Sequence, residues 1–410
     1  MNFKEAFEKY KNNTASEEER RFVEEELEKN ALISDYLLDN EDLDFEAEAP
    51  PTTEDYKTLN NIKKSMRTRS LAIILSTIGI LLILVLAFNF IGKPLLNMLY
   101  YNPDKHSYST HDPDISVSLD AYMELHNPTL KYNSSSLTNS GINKYDIRIY
   151  SQHYLTNELQ ILDGKLIKDS LYIENTNAGG NEFYDTIFPG AFIYGRRGID
   201  EFAKDGEEAA KIEKERRENE LTEAKAYLSE LPNYIDVGAY ISFDHYLTLE
   251  ELTMIPYNEK YTNSIILLWA GVNISNTSEG SYPMIGFNMY LSNSSRNNYD
   301  KINEKYKAFD TWNTLEGTSG PISRAYEEHF KDMISFQLDN IDFLNTLTNT
   351  GIDYESYYKR VQSYINENGV KTYGIIVKGT GEAILELLEE PYVNGIYIDD
   401  ITLSTNLNGY

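Results

Sequence analysis

The chain has 410 residues, 41% of them hydrophobic, and its 65 acidic and 37 basic residues give a formal net charge of -28. This charge argues against binding of DNA, RNA or anionic lipid headgroups through a basic face, and it favours a protein partner with a basic surface. The absence of cysteine excludes disulfides, thiol catalysis and cysteine zinc sites.

Residues 1–40 predict short amphipathic helices. The first helix has an apolar face with i, i+3, i+4, i+7 spacing, formed by Phe3, Ala6, Phe7 and Tyr10. A capping box of Ser16 and Glu19 predicts the start of a second helix. The apolar face of that helix consists of Phe22, Val23, Leu27 and Ala31. A third short turn or helix is predicted over Ile33, Tyr36, Leu37 and Leu38.

These helices predict a partner-binding segment. From Met1 to Pro50 there are 16 acidic and 6 basic residues, so the polar helix faces are acidic. A solvated helical hairpin without a partner is the alternative interpretation of these charges. About 40 residues seldom bury enough apolar surface to fold alone, so the apolar faces favour a partner that completes the core. The predicted partner-binding residues are Phe3, Phe7, Tyr10, Phe22, Val23, Leu27, Tyr36 and Leu37.

The run from Leu71 to Ile91 contains no ionisable side chain. Because about 20 apolar residues span the hydrocarbon core as a helix, this run predicts a transmembrane helix. A buried core helix is the alternative, although such a helix normally keeps a polar stripe. Before the run, residues 41–70 predict an acidic, proline-containing linker and a basic juxtamembrane stretch, with Glu41 to Asn60 as a flexible tether.

Basic residues are distributed unequally around the apolar run. Four of them precede it, at Lys63, Lys64, Arg67 and Arg69, whereas Lys93 is the first basic residue after it. The positive-inside rule therefore predicts a cytoplasmic N-terminus and an extracytoplasmic C-terminus. Because an outer domain without cysteine favours a bacterial surface, we predict a single-pass protein of the bacterial cell membrane.

The outer part predicts a membrane-proximal stalk over residues 92–140 and a mixed α+β domain over residues 141–410. The stalk contains polar residues whose spacing fits no metal site, and we interpret them as scattered surface residues. They are His106, His111, Asp112, Asp114 and His126. Strands are predicted at 146–150 and 191–195, and a charged helix at 199–231. No metal or other cofactor is expected.

Two β-α-β units are predicted in the C-terminal half. The first has a strand at 234–243, a helix from residue 248 and a strand at 263–274, and the second has the same order at 371–378, 380–389 and 395–403. The repeat predicts two halves of one mixed sheet, for which a ferredoxin-like fold is one interpretation. Helices are predicted over 322–347 and 354–365, and Trp269 is predicted to be a core residue.

No catalytic motif emerges from the sequence. Residues 379–381 imitate a dinucleotide-binding turn, but the third glycine is missing, so a plain strand-helix turn is favoured. His153, His245 and His329 are isolated in sequence and are interpreted as hydrogen-bonded surface or boundary residues rather than general bases. Walker, His-Glu-x-x-His and Gly-x-Ser-x-Gly motifs are absent. We therefore predict that the chain is not an enzyme.

The N-terminal helices resemble the N-terminal domain of the sigma factor regulator family of membrane-anchored anti-sigma factors, in the segments FKEAFEKY, SEEERRFVEEELEKN and DYLLD. The outer part is similar to that family's C-terminal domain in LPNYIDVGAYISFDHYLTLEEL, ILLWAGVN and YGIIVKGTGEAILELLEEPYVNGIYIDDITL. The resemblance implies that residues 1–40 capture an extracytoplasmic-function sigma factor without zinc, because the His-x3-Cys-x2-Cys motif of other anti-sigma domains is missing. It also implies an extracytoplasmic sensing domain.

The leading hypothesis is a membrane-anchored anti-sigma factor that releases its sigma factor when the outer domain registers an envelope signal. Further membrane proteins, or a second copy of the chain, are compatible partners. The alternative is a single-span cell-envelope binding or assembly protein with no regulatory role. A third hypothesis, an outward-facing hydrolase that uses carboxylates, would require paired acidic side chains.

Overall fold

The computed structural model of the chain describes residues 3–12, 14–39, 53–174, 206–261, 264–274, 284–289, 301–310, 321–347 and 352–404. The chain divides into two compact units, Met1–Leu86 and Ala87–Tyr410. The strand predicted at 191–195 lies outside the described residues.

The first unit begins with a helical hairpin of α1, Phe3–Lys11, and α2, Glu17–Asp39. The predicted capping box at the start of α2 is confirmed: the Ser16 N–H donates to the Glu19 carboxylate at 2.9 Å, and the Glu19 N–H donates to the Ser16 hydroxyl at 3.3 Å. The prediction of a separate third turn is wrong, because α2 continues without interruption to Asp39. No proline or glycine lies between Ala31 and Asp39 to end it.

The third helix, α3, runs from Thr53 to Ala87 and contains most of the apolar run. The predicted flexible tether is therefore wrong over residues 53–60, because a stable helix propagates readily into a flank without Pro or Gly. Lys63–Gly92 is long and apolar enough to cross a membrane. Its large apolar side chains between Leu71 and Ile91 are 45% to 76% exposed, which argues against the alternative of a buried core helix.

The second unit starts with a π-helical turn, Phe88–Gly92, and contains helices and two sheets. The helices are α4 Lys93–Met98, α5 Asp114–His126, α6 Glu207–Ser229, α7 Leu249–Met254, α8 Ile322–Asp339, α9 Ile341–Thr346, α10 Tyr354–Asn368 and α11 Gly381–Leu387. The strands are β1 Leu130–Gly141, β2 Lys144–His153, β3 Leu159–Ile167, β4 Ser170–Glu174, β5 Ile235–Thr248, β6 Ile265–Val272, β7 Gly286–Asn288, β8 Lys371–Thr380 and β9 Val393–Leu403.

The first sheet is an antiparallel meander in the order β1-β2-β3-β4, and α5 packs against it. Every residue of α5 is buried. The stalk prediction for residues 92–140 is therefore wrong, since this stretch supplies a core helix and an entire strand. The surface interpretation is also wrong for Asp114 and His126, which are 7% and 2% exposed.

The second sheet has the order β7-β6-β8-β5-β9, and its recorded strand pairs are all antiparallel. Both predicted β-α-β units are present as β5-α7-β6 and β8-α11-β9. The two strands of each unit are separated by one strand of the other unit, so the halves interleave in one sheet. Because of this interleaving, the prediction of a sheet that mixes parallel and antiparallel neighbours is wrong.

Helices α8 and α10 pack against each other, and α8 also contacts α5 and α7. The single helix predicted over 322–347 is divided at Asn340, where the backbone leaves helical geometry with φ -112° and ψ 36°. The Asn340 side chain donates to the Phe336 carbonyl at 2.8 Å and accepts from the Tyr108 hydroxyl at 2.8 Å, which stabilises this interruption.

Trp269 on β6 is fully buried, which confirms its prediction as a core residue. Its indole N–H donates to the Glu124 carbonyl of α5 at 2.7 Å. Gly286 on β7 packs directly against this ring: a Cβ at that position would lie 2.3 Å from Trp269 Cζ2 and 2.2 Å from the Ala270 carbonyl oxygen. Only glycine fits between the ring and the neighbouring strand.

We therefore predict that Gly286→Ala lowers the free energy of unfolding of the full chain by about 1 to 3 kcal/mol, the usual cost of overpacking a core. Denaturant unfolding in detergent micelles measures this change. Gly141→Ala is the matched control, because the nearest atom to its added Cβ is 3.7 Å away, in the Lys144 side chain. Equal stability of the two variants would contradict the packing of β7 against Trp269.

Candidate partner-binding surface and buried polar cluster

The helical hairpin presents an aromatic cluster on its surface. Phe3 and Phe7 of α1 have stacked rings 5.6 Å apart, and Phe22 of α2 meets Phe3 edge to face at 6.4 Å. Phe3 and Phe7 are 38% and 36% exposed, and Leu27 further along α2 is 41% exposed. Phe22 and Tyr10 are half-buried. The apolar surface that a partner could contact is therefore formed by Phe3, Phe7, Phe22 and Leu27, and we call it the hairpin face.

Three other predicted partner-binding residues differ from these. Val23 cannot contact a partner in this conformation, because it is 0% exposed. It lies in the hairpin interior together with Ala6. Its role in this conformation is to pack α1 against α2. Tyr36 and Leu37 belong to the last part of α2, and their side chains lie outside the described set.

An ion pair links α1 and α2 near the connecting turn. The Lys9 ammonium lies 2.6 Å from a Glu19 carboxylate oxygen. Hydrogen bonds from Lys9, and then from Ser16, lower the pKa of Glu19 to about 2. Glu17, Glu18, Glu24, Glu25 and Glu28 are exposed on α2. The hairpin thus combines an exposed apolar patch with a surplus of exposed carboxylates on α2, which complements a partner with an apolar centre and a basic rim.

The second unit contains a buried polar cluster around α5. Glu124 Oε1 lies 2.6 Å from His329 Nε2 of α8, and both side chains are buried. His329 Nδ1 lies 2.8 Å from the Ala308 carbonyl, which can only accept, so Nδ1 carries a proton. The Asn288 N–H donates to Glu124 Oε1 at 3.1 Å. This arrangement links α5, α8 and β7 through one carboxylate.

His126 forms the second part of the cluster. Its Nδ1 lies 2.7 Å from the Met284 carbonyl and its Nε2 lies 2.6 Å from the Tyr358 hydroxyl of α10. Burial lowers the pKa of His126 to about 4, against the opposing effect of the Met284 carbonyl. The ring is therefore neutral at pH 7, with Nδ1–H donating to the carbonyl and Nε2 accepting from the tyrosine.

Sequence reasoning missed this cluster and misjudged two of its histidines. His329 was predicted to be a surface or boundary residue, but it is 1% exposed. The partner of His126 is 232 residues away in the chain, and the partner of His329 is 205 residues away. No local pattern contains this information. The cluster holds two imidazoles, a carboxylate and phenols without a nucleophile poised beside a base, so its geometry supports a structural role.

Two other histidines and the turn at 379–381 lie outside the buried polar cluster. His245 is exposed beside Asp244, and His153 Nε2 lies 3.8 Å from Asp399. Thr380 caps α11 by accepting from the Ala383 N–H at 3.3 Å, as expected of a plain strand-helix turn. Across the part of the chain that the structure describes, no group of three or more His, Asp or Glu side chains could hold a metal ion.

Residues 228–400 match the family model described as sigma factor regulator C-terminal. The match begins in α6 and ends in β9, so it covers the second sheet and the helices connected to it. Over these residues the chain is similar to the C-terminal domain of the sigma factor regulator family, which confirms the C-terminal part of the resemblance found in the sequence. No curated protein and no solved structure matches the chain.

The matched family is regulatory, and the match points to an anti-sigma role with a sigma factor as partner. The apolar helix fits a single-pass membrane protein. The first sheet and α5 precede the matched residues, yet α5 contacts β7 and α8 and supplies Glu124 to the buried cluster. The matched domain therefore shares its core with residues outside the match.

The buried His126 predicts an acid-sensitive fold. An unfolded histidine titrates near pH 6.5, whereas folded His126 titrates near 4. Between these values the unfolded chain binds more protons, so stability is complete above about pH 6.5 and falls as the pH is lowered towards 4. The loss from this residue is about 3 kcal/mol, at about 1.4 kcal/mol per pH unit.

Urea unfolding of the full chain at several pH values measures this dependence. We expect His126→Gln to flatten the slope of stability between pH 6.5 and 4, whatever its stability at neutral pH. His245→Gln is the matched control, because it makes the same substitution at an exposed histidine. A slope equally steep in His126→Gln would contradict the assignment.

Proposed function

We propose that the protein is a membrane-anchored anti-sigma factor. The hairpin binds an extracytoplasmic-function sigma factor on the cytoplasmic side and withholds it from RNA polymerase, and the outer unit controls its release in response to an envelope signal. The observation that carries this proposal is the order of parts in one chain. An acidic hairpin with an exposed apolar face is followed by a helix long enough to cross a membrane and then by a sigma factor regulator C-terminal domain.

Burial of the hairpin face would supply the free energy of binding. Burial of an exposed Phe or Leu side chain contributes about 1.5 to 3 kcal/mol, so a few such residues at the centre of an interface are enough for specific binding. The surrounding carboxylates favour encounter with the basic surfaces by which a sigma factor contacts promoter DNA. Occupation of these surfaces by the hairpin would block their use in transcription.

Orientation follows from the charges before the apolar run. Lys63, Lys64, Arg67 and Arg69 are exposed on α3, and the positive-inside rule assigns this side to the cytoplasm. The hairpin then lies where a sigma factor is found. The second unit lies outside the cytoplasm, where it can encounter an envelope signal.

We further propose that the second sheet is ferredoxin-like. Four strands have the order β9-β5-β8-β6 with antiparallel neighbours, which is the order produced when two β-α-β units interleave. The short strand β7 extends the sheet beyond β6. This arrangement buries β5 and β8 in the centre and leaves β9 at an edge.

Capture can be tested with the full chain purified from its own cells in detergent. We expect a sigma factor to co-purify with it, and we expect Phe7→Asp/Leu27→Asp to weaken the complex by at least about 100-fold, because each substitution removes an interface anchor worth about 2 kcal/mol. Both side chains are exposed, so the hairpin core of Ala6 and Val23 is preserved.

Leu159→Asp is the matched control, because Leu159 is 74% exposed on the second unit and is not part of the hairpin. Retention of the sigma factor by the double variant would show that the hairpin face is not the binding surface. If the unaltered chain captures no sigma factor, the proposal of an anti-sigma function fails.

Orientation can be tested by single-cysteine labelling, since the chain contains no cysteine of its own. In intact cells, a membrane-impermeant maleimide should label Leu159→Cys and should not label Thr14→Cys, both of which replace exposed residues. Both positions should react after the cells are lysed. Labelling at position 14 in intact cells would place the hairpin outside and rule out contact with a sigma factor.

A further inference from the structure

Two hairpin turns of the first sheet lie side by side, close to the point where the chain leaves the apolar run. The β1–β2 turn contains Ile142 and Asn143, and the β3–β4 turn contains Lys168 and Asp169. The Lys168 N–H donates to the Asn143 carbonyl at 2.8 Å, and Lys144 is the strand partner of Ile167. We call residues 141–144 and 167–170 the paired turns.

The paired turns contact the segment that follows the apolar run. The Tyr101 N–H donates to Asp169 Oδ1 at 2.7 Å, and the Lys168 ammonium lies 5.9 Å from the centre of the Tyr100 ring. Between Gly92 and Tyr101 the chain forms α4, whose six residues rise about 9 Å, and a short turn that adds at most about 10 Å. The covalent chain therefore keeps the paired turns within about 20 Å of the end of the apolar run.

The paired turns combine ordinary turn residues with exposed aliphatic side chains. Two-residue hairpin turns favour Asn, Gly and Asp, and Asn143 and Lys168 adopt positive φ angles of 50° and 56°. Beside them, Ile142 and Ile167 are 43% and 37% exposed. Leu95 and Leu99 are more exposed still on the adjoining segment. Exposed aliphatic residues thus lie at the end of this sheet that the chain holds close to the apolar run, and Leu159 and Ile161 are exposed towards its other end.

We propose that the paired turns contact the outer surface of the bilayer that the apolar helix crosses. Ile142 and Ile167 enter the headgroup region, while Lys144 and Lys168 bind lipid phosphate groups. Tyr100 occupies the interfacial level at which aromatic rings are enriched in membrane proteins. Exposed aliphatic tips flanked by lysine and tyrosine have the composition of an interfacial contact.

A lipid surface explains this patch better than a protein partner does, because the covalent chain brings lipid to it in every molecule. Because the chain has a net charge of -28, the contact depends on two apolar tips and the lysines beside them. The proposal rests on the single-span topology and does not depend on sigma factor binding. Its failure would leave the capture experiment unaffected.

The test uses the full chain in nanodiscs of phosphatidylcholine and phosphatidylglycerol, with a fluorescent label on single cysteines at Ile142→Cys or Ile167→Cys. Leu159→Cys is the matched control, because it replaces an exposed apolar residue at the opposite end of the same strand, about 26 Å from Ile167. We expect quenching by nitroxide lipids to be several-fold stronger at positions 142 and 167 than at 159. Aqueous iodide should show the reverse order.

Two outcomes would overturn the proposal. If labels at 142 and 167 respond to iodide as strongly as the label at 159, the turns face water. If they are protected from both quenchers, a protein surface covers them, and a second copy of the chain or another protein is the occupant. Only strong lipid quenching combined with weak iodide quenching supports contact with the bilayer.

Charge reversal at the turns provides an independent arm. With the label at Ile142→Cys, Lys144→Glu/Lys168→Glu should increase quenching of the label by iodide. Each lysine near an anionic bilayer changes the equilibrium constant for contact with the bilayer by about fivefold. Lys211→Glu/Lys214→Glu alters the net charge equally on exposed positions of α6 and should have no effect. An equal response to both pairs would mean that net charge, rather than the turns, controls the contact.

Discussion

The structure depends first on a run of apolar residues that water does not accommodate. Between Leu71 and Ile91 no side chain can be ionised, and the large apolar ones stand exposed around the helix. In hydrocarbon, backbone and side-chain polar groups must be satisfied internally, and here the Ser76 and Thr77 hydroxyls donate to the Ile73 carbonyl at 2.8 and 2.9 Å. The Ser76 and Thr77 hydroxyls are therefore satisfied within the helix, and lipid is needed only to cover the apolar side chains.

A second constraint lies in α5, which is buried along its full length although it contains three carboxylates and a histidine. Each buried polar group needs a partner. Asp114 accepts from the Ser107 N–H at 2.6 Å, Glu124 meets His329, and His126 meets Tyr358. These contacts connect α5 to α8 and α10, which belong to the matched family domain. The residues before that domain are thus integral to its core and do not form a separable spacer.

The comparison with the sequence shows which interactions are local enough to be predicted. The capping box at Ser16 and the two β-α-β units depend on neighbours within a few residues, and their patterns identified them. The burial of α5 could not be predicted, because its polar residues interrupt the apolar period and their partners lie far away in the chain. The antiparallel pairing of the second sheet was missed for the same reason, because it joins strands that are far apart in the chain. On the hairpin, periodicity identified an apolar face but could not tell that Val23 packs inward while Phe7 remains exposed.

The hairpin's small core bears on how release could be controlled. Among its described residues, Ala6 and Val23 are the buried apolar side chains, and this is too little apolar surface to stabilise a hairpin strongly. A partner that covers the hairpin face would therefore stabilise the folded hairpin as well as bind it, so folding and capture are coupled. An outer event then needs no large mechanical movement through a single helix. If the hairpin binds a sigma factor as proposed, a change in free energy of a few kcal/mol in the state of the hairpin, or its separation from the membrane, is enough to shift that partner between bound and free.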